Sequence, residues 1–310
     1  MTLTPDILLD RVQLKQRLRK WQIAAAILTV VAILGLALSG KTSNSEEKNV
    51  GDVKEDYIAR IKIDGMILDD TYRDKVLKKL LDDKYAKAII LSIDSPGGTT
   101  AGSEELYDQV LDISKSGKPV VVVMRTLAAS GAYMTALGGD HIIARNGTIT
   151  GSIGVLMQAA EFTGLAEKIG VTFNTIKSSE LKASPSPFEK MSPKAQAAIQ
   201  SLIDDFYVYF VNTVAERRHL DITKAKELAD GRVYTGTQAA KNGLVDEIGG
   251  EKEALAWLQK NKKISTKLEV QDISTKEPEK SLKDVLFGDS KEAVMLDKIT
   301  TSGLLAYWQP

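Results

Sequence analysis

An uninterrupted apolar run close to the N-terminus is the longest hydrophobic feature of the chain. Residues 21–39 contain no charged side chain. As a helix they would span roughly 28 Å at about 1.5 Å per residue, close to the thickness of a bilayer's hydrocarbon core. Residues 1–20 carry five basic and two acidic side chains. Because basic residues stay on the cytoplasmic side, the pattern predicts a cytoplasmic segment, a transmembrane anchor over 21–39 and an exported body.

A cleaved signal peptide is the alternative interpretation of this run. Ala37, Leu38 and Ser39 have the small–any–small pattern of a cleavage site. The length of the run and the long polar stretch before it favour an uncleaved anchor, and both interpretations export the body. Residues 40–55 are polar and charged, which is typical of a tether.

Beyond the tether the hydrophobic pattern changes to that of an α/β domain. The pattern predicts strands over 57–63, 88–93 and 119–124, a strand beginning at 141, and helices over 71–81, 101–116 and 193–218. Ser192 and Pro193 supply the cap and the first position of the last helix. This helix has a wide apolar stripe, formed by Ile199, Leu202, Ile203, Phe206, Phe210 and Val214. Strand–helix–strand order predicts parallel pairing with right-handed crossovers. We expect one domain over 56–271 and a polar tail over 272–310.

Composition narrows the possible chemistry. The chain has 310 residues, 43% of them apolar and 26% charged, and its formal net charge is zero, so nucleic acid is not an expected partner. There is no cysteine, which excludes disulfides, thiolate nucleophiles and cysteine-bound metals. The only histidines are His141 and His219. We predict no metal and no cofactor.

Three short segments carry the candidate chemistry. Residues 94–98 (DSPGG) follow an apolar strand, residues 128–133 (AASGAY) follow the next, and residues 176–183 (IKSSELKA) hold two lysines. Each has a common structural explanation: a turn, a serine that caps a helix, and a solvated lysine. A lysine that acts as a base must be neutral, so its pKa of about 10.4 must fall by roughly 3 units, which burial among apolar groups can achieve.

Two further motifs follow the same order along the chain, TGSIGV at 150–155 and GRVYTGTQAAKNGLVDEIG at 231–249. With the three segments above, they resemble the short form of the bacterial signal peptide peptidase A family, within the superfamily of Clp proteases and crotonases. The resemblance covers roughly residues 56–262. It implies a repeated βαβ superhelix with parallel sheets and a serine peptidase that works through a Ser–Lys dyad.

The resemblance also implies roles for individual residues. Ser130 would be the nucleophile and Lys182 the general base. Lys177 would belong to the strand that precedes the base in the motif, and Lys190 lies too close to the next helix. The remaining implied roles are the orientation of the lysine by Ser152, an oxyanion hole formed by the N–H groups of Gly97 (or Gly98) and Gly131, and a substrate cleft at Leu156 and Met157.

A Ser–His–Asp triad would be a different mechanism on the same fold. In related Clp subunits the histidine follows the serine by about 25 residues, a neighbourhood that here reads Gly154, Val155 and Leu156. We therefore expect His141 and His219 to be structural or on the surface. Two rival functions are an inactive membrane scaffold of the same fold and a crotonase-type acyl-CoA enzyme.

Partners and location are likewise implied by the resemblance. We expect peptide substrates, chiefly cleaved signal peptides, and contact with the bilayer through residues 21–39. The expected location is the bacterial inner membrane, with the catalytic domain on the periplasmic side. A homo-oligomeric ring, from tetramer to octamer, is expected, in which Ser130 and Lys182 of one site can come from different subunits.

Overall fold

The computed structural model describes residues 18–22, 47–265 and 267–277. The chain divides into two units, residues 1–47 and 48–310. In the first unit, residues 18–22 are helical. No helix within the described ranges is long and apolar enough to cross a membrane. The predicted anchor, apart from residues 21 and 22, lies outside the described residues, as do residues 40–46 of the tether and 278–310 of the tail.

The second unit alternates strands and helices. Its strands are β1 (Tyr57–Asp64), β2 (Ala86–Ser95), β3 (Val120–Ala129), β4 (His141–Ala144), β5 (Ile149–Gly151), β6 (Val233–Thr235), β7 (Glu247–Ile248) and β8 (Glu269–Ile273). Its helices are α1 (Thr71–Asp82), α2 (Thr100–Lys115), α3 (Gly131–Ala136), α4 (Thr163–Lys168), α5 (Pro193–Arg218), α6 (Ile222–Leu228), α7 (Gly236–Asn242) and α8 (Glu251–Lys262).

The eight strands form one mostly parallel sheet. Its main path runs β6-β5-β3-β2-β1-β8, and a branch through β4 and β7 also starts from β3. Only the β5–β6 pair is antiparallel. The prediction of an α/β fold with parallel pairing is therefore confirmed, and the superhelical arrangement of repeated units stays a prediction.

Both faces of the sheet are covered, which explains the continuous apolar runs of β2 and β3. Successive side chains of a strand point to opposite faces, and on β3 Val122 belongs to one hydrophobic cluster and Val121 to another. The larger cluster includes side chains from α1, α2, α3 and α5, whereas the smaller one packs against Ala254 and Leu258 of α8. A strand buried on both faces needs no polar alternation.

Element boundaries agree closely with the sequence pattern outside one segment. The predicted strands and helices of the core appear within a few residues of their expected ends, and the Ser192 side chain accepts the Ala195 N–H at 3.2 Å as the cap of α5. Residues 152–192, in contrast, form only the short helix α4. The strand expected at Lys177 is not formed, because residues 171–177 pair with no strand in the described part of the chain.

A charged cluster fastens the edge strand β8 to β1. The side chain of Asp272 is hydrogen-bonded by Arg60 and lies 3.0 Å from the Lys62 ammonium, and Arg60 also donates to Glu251 at 2.8 Å. The hydrogen bond from Arg60, helped by the one from Lys62, holds the pKa of Asp272 below its usual range. A carboxylate with a lowered pKa stabilises the fold above the pKa of the unfolded chain, and this contribution is lost as the pH falls through the folded pKa.

Replacing Asp272 with asparagine should therefore destabilise the protein in a pH-dependent way. At pH 7 the free energy of unfolding should fall by about 1–3 kcal/mol, since two charge-assisted hydrogen bonds are weakened. The difference from the wild type should begin to shrink below about pH 4, the usual pKa of an aspartate in an unfolded chain, and should disappear once the pH has fallen below the lowered pKa of the native carboxylate. Urea unfolding of the full chain between pH 7 and 3 measures this. Glu269→Gln, an exposed substitution on the same strand, is the control, and an equal loss in both variants would contradict the role of Asp272.

Candidate active site

An irregularity in the pairing of β2 with β3 sets the position of Ser130. Ile93 pairs with Met124, but Ser95 pairs with Ala128, so β3 has extra residues at this point. The carboxylate of Asp94 accepts the Leu127 N–H at 3.1 Å and so holds the bulge. Beyond the bulge β3 leaves β4 and pairs with β5. The two sequence motifs that follow β2 and β3 consequently meet at one edge of the sheet.

Ser130 itself is held in an unusual backbone conformation between β3 and α3. Its φ is 55° and its ψ is −126°, a region that costs a non-glycine residue on the order of 1–3 kcal/mol. The Ser130 N–H donates to Gly151 O at 2.8 Å, and its carbonyl accepts the Met134 N–H at 3.0 Å. Its side chain makes no capping hydrogen bond to α3. The structural explanation of Ser130 as a helix cap is therefore wrong.

Glycines bring the turn after β2 against the turn after β3. A β-carbon on Gly97, whose φ is +103°, would lie 2.8 Å from Gly131 N and 3.0 Å from Ser130 Cβ. A β-carbon on Gly98 would lie 1.7 Å from the carbonyl oxygen of Ile67. No side chain fits at either position, so the two adjacent glycines are required by the close approach of the backbone.

The backbone N–H groups at this junction are not equivalent. The Gly97 N–H donates to Ser95 Oγ at 3.1 Å. The N–H groups of Gly98 and Gly131, by contrast, meet no acceptor among the residues that the structure describes. Gly98 and Gly131 are therefore the better pair of donors for an oxyanion. The sequence did not choose between Gly97 and Gly98, and the hydrogen bonds favour Gly98.

A cleft opens over this junction. Ser130, Gly98 and Gly131 lie on its floor, and its walls are largely apolar, with side chains from Met134, Val155, Phe206 and Phe210. Tyr209 also lines the cleft, and burial together with nearby acidic groups raises the pKa of its phenol to about 12. The phenol therefore stays protonated at neutral pH.

The cleft is not lined by three other residues that were expected at the site, Ser152, Leu156 and Met157. Ser152 follows Gly151, the residue that accepts the Ser130 N–H, and its own N–H donates to Arg232 O at 2.8 Å. Leu156 and Met157 do not line the cleft that holds Ser130, whereas the two preceding residues, Gly154 and Val155, do. The side chain of Leu156 is 76% exposed.

Lys182 does not line the cleft that holds Ser130, and its side chain makes no hydrogen bond to Ser130 in the described part of the chain. It is an exposed residue in a turn, and its N–H donates to Ser179 O at 3.2 Å. Its ammonium has no hydrogen-bond or ion-pair partner among the described residues. Lys177, in contrast, is paired with Glu189, and their hydrogen bond lowers the pKa of that carboxyl group.

Both histidines lie away from the cleft. The ring of His141 stacks on Trp257 at 4.8 Å, and its Nε2 lies 3.1 Å from Glu247 Oε2. His219 ends α5 in the left-handed conformation, with a φ of 51°. Neither ring lines the cleft that holds Ser130. No group of three or more histidine, aspartate or glutamate side chains within the described ranges could hold a metal ion.

Several cleft residues were missed in the sequence. Ser103 and Glu104 line the cleft from α2, and Phe206, Tyr209 and Phe210 line it from α5. The apolar stripe of α5 marked Phe206 and Phe210 as inward-facing but did not indicate what they face. Ser103 lies among ordinary helical residues and has no sequence signal of its own.

Comparison with known proteins identifies relatives of this chain. Residues 112–265 match the model of peptidase family S49. The chain is 40% identical over 245 residues to a putative protease of Synechocystis sp., covering 78% of this chain and 87% of that protein. It is 43% identical over 189 residues to a putative signal peptide peptidase of Enterococcus faecium, covering 61% of this chain and 55% of that protein.

A third relative extends the match toward both ends of the chain. Protease 4 of Haemophilus influenzae is 34% identical over 297 residues, covering 95% of this chain and 45% of that protein. The chain thus spans about half of the length of the last two relatives and most of the first. On this similarity the chain belongs to peptidase family S49, as a serine peptidase of the signal peptide peptidase A type.

Proposed function

We propose that this chain is a membrane-bound endopeptidase that cleaves residual signal peptides and other peptides through a dyad of Ser130 and Lys182. The observation that carries the proposal is the junction of the two turns. Ser130 stands in a strained conformation at the floor of a cleft, beside two N–H groups that lack an acceptor in the described residues. This arrangement suits a serine nucleophile and an oxyanion hole.

The proposed reaction has two halves. Neutral Lys182 takes the Ser130 hydroxyl proton while Ser130 Oγ bonds to the peptide carbonyl carbon, and the N–H groups of Gly98 and Gly131 stabilise the oxyanion. The lysine then gives the proton to the leaving amine as the C–N bond breaks, which leaves an acyl-enzyme. Water, deprotonated by the same lysine, attacks the ester carbonyl carbon; the bond from that carbon to Ser130 Oγ then breaks, the lysine returns the proton to Ser130 Oγ, and the acid is released. Each backbone donor of this kind contributes roughly 3 kcal/mol to the stability of the transition state.

The exposed position of Lys182 supports a site that is completed by a second copy of the chain. We define the arm as residues 152–192, which lack regular structure apart from α4. The arm exposes many large apolar side chains, and Ile176 is fully exposed. Such an apolar surface is typical of a protein–protein interface. A ring from tetramer to octamer, with Lys182 of one subunit beside Ser130 of its neighbour, would cover the arm and bury the lysine.

The substrate and the location are also part of the proposal. A cleft with apolar walls favours the hydrophobic segments that signal peptides contain, and an anchor over residues 21–39 keeps the site near the bilayer. The proposed location is the bacterial inner membrane with the catalytic domain on the periplasmic side. The Clp-protease-like superhelix is the corresponding proposal for the fold.

Ser130→Ala and Lys182→Ala should each abolish peptide cleavage, because one removes the nucleophile and the other the base. Turnover of a fluorogenic hydrophobic peptide should fall by about 10³-fold or more in both variants, with unchanged thermal unfolding. Lys190→Ala, an exposed lysine near the end of the arm, is the matched control. A fluorophosphonate should label the wild type but not Ser130→Ala, and near-normal turnover of Lys182→Ala would overturn the dyad.

Mixed assembly tests whether the dyad forms between subunits. Ser130→Ala and Lys182→Ala chains, each inactive, should recover activity when they are dissociated and reassembled together. In a ring with random order, about one site in four should combine an intact serine with a neighbour's intact lysine. Mixing of separately assembled variants is the control. If reassembled mixtures stay inactive while the wild type treated in the same way recovers, the dyad forms within one chain.

The intact mass of the chain tests the anchor. Protein extracted from membranes that were washed with alkaline carbonate should retain residues 1–39 and have a mass of 33.8 kDa, because an uncleaved apolar helix stays in the bilayer. A mature chain that lacks residues 1–39 would show that the N-terminal run is a signal peptide instead.

A further inference from the structure

A buried hydroxyl without a partner lies beneath the junction of the two turns. Ser103, on α2, is 1% exposed, and its Oγ is closed to solvent and has no hydrogen-bond partner among the residues that the structure describes. Buried side-chain hydroxyls in folded proteins are nearly always hydrogen-bonded, so each exception needs an explanation.

The orientation of Ser103 differs from that of other hydroxyls on helices of this chain. The hydroxyls of Thr135 and Thr213 donate to the carbonyl oxygens four residues earlier, at 3.1 and 3.0 Å, which is the usual way for a helical hydroxyl to be satisfied. The corresponding carbonyl for Ser103 belongs to Thr99, and it accepts the Ser103 N–H at 3.0 Å but not the hydroxyl. The Ser103 side chain points instead toward the turn after β3.

The hydroxyl lies against the proposed oxyanion donors. A β-carbon on Gly131 would be 2.0 Å from Ser103 Oγ and 3.3 Å from Gly98 N. The Ser103 hydroxyl and the Gly98 N–H group thus both lie close to the position that a β-carbon of Gly131 would occupy. Ser103 also lines the cleft that holds Ser130. The Ser103 hydroxyl therefore lies beside the N–H groups of Gly98 and Gly131, and it has no hydrogen-bond partner among the described residues.

We propose that Ser103 is a third hydrogen-bond donor to the oxyanion and hence a further catalytic residue of the peptidase. This proposal rests on the proposed attack by Ser130. The O–H of Ser103 turns toward the negative oxygen as the tetrahedral intermediate forms and keeps its proton throughout. In the free protein the hydroxyl has no partner among the described residues, so its interaction appears only in the transition state, which is the condition for accelerating the reaction.

Replacement of Ser103 with alanine separates this role from a structural one. The variant keeps the β-carbon and removes a hydroxyl that has no hydrogen bond to lose, so its Tm should be unchanged or slightly higher. The kcat for a fluorogenic peptide should fall roughly 100-fold with little change in KM. The affinity for a peptide aldehyde, which forms a tetrahedral adduct with Ser130, should fall by the same factor. The affinity for the matching peptide alcohol, which forms no adduct, should not change.

Two further variants make the comparison strict. Ser103→Cys has nearly the same shape and a weaker donor, so its kcat should lie between those of the wild type and Ser103→Ala. Ser92→Ala removes another buried serine hydroxyl, on β2 and outside this cleft, and it should keep kcat within about twofold. The full chain is used for all variants, with the Ser103→Cys result decisive if Ser103→Ala does not fold.

The outcomes of these measurements are distinct. A kcat and an aldehyde affinity of Ser103→Ala close to wild type would overturn the proposal. Equal losses of alcohol and aldehyde affinity, or a Ser103→Cys variant with the kcat of the wild type, would show that the residue only shapes the cleft. If Ser130→Ala were to keep its activity, the proposed function would fail as a whole. Loss of activity in Ser130→Ala with normal activity in Ser103→Ala would remove this inference alone.

Discussion

The close approach of the turns after β2 and β3 is the constraint on which the rest of the site depends. Gly97 allows the two turns to lie nearer to each other than a β-carbon permits. Gly98 leaves room for the carbonyl group of Ile67, and Gly131 leaves room for the side chain of Ser103. The close approach of the turns requires the bulge of β3, because a regular pairing with β2 would carry Ser130 past the glycines. The rigid two-faced core holds the strands in that register. The strained φ of Ser130 is thus imposed by the sheet and stabilised by the hydrogen bond from its N–H to Gly151 O.

The residues of the proposed active site lie in two differently packed parts of the domain, the turns at the end of the sheet and the exposed arm. The proposed nucleophile and the proposed oxyanion donors lie on turns that a single chain builds. Lys182, the proposed base, lies on the exposed arm. A lysine loses its charge readily only when its surroundings exclude water. In the proposed ring, assembly through the arm would bring Lys182 beside Ser130 and would also exclude water from it. A single isolated chain would then have no active site.

The sequence predicted the core better than the arm, for a physical reason. Strands such as β2 and β3 are buried on both faces, and helices such as α5 have a cap and an apolar stripe, so their patterns reflect contacts within the chain. The arm has apolar residues as well, but most of its large apolar side chains are exposed in the described structure, and the strand expected at Lys177 does not form. Sequence motifs located Ser130 and both candidate glycines. They could not choose between Gly97 and Gly98, since that choice depends on the hydrogen bond from the Gly97 N–H to Ser95 Oγ.

Two energetically unfavourable features occur together at the cleft, and neither can be predicted from the sequence. Ser130 has an unfavourable backbone conformation, and the Ser103 hydroxyl is buried without a hydrogen bond to any described residue. Elsewhere in the described core, side-chain hydroxyls such as those of Tyr133 and Thr150 meet carbonyl oxygens at 2.9 and 2.6 Å. A fold that satisfies these groups could also have satisfied Ser103, for example by bonding it to Thr99 O. Unsatisfied donors collected around one nucleophile are what a site complementary to a transition state requires, because donors that are already paired in the free protein would gain little as the oxyanion forms.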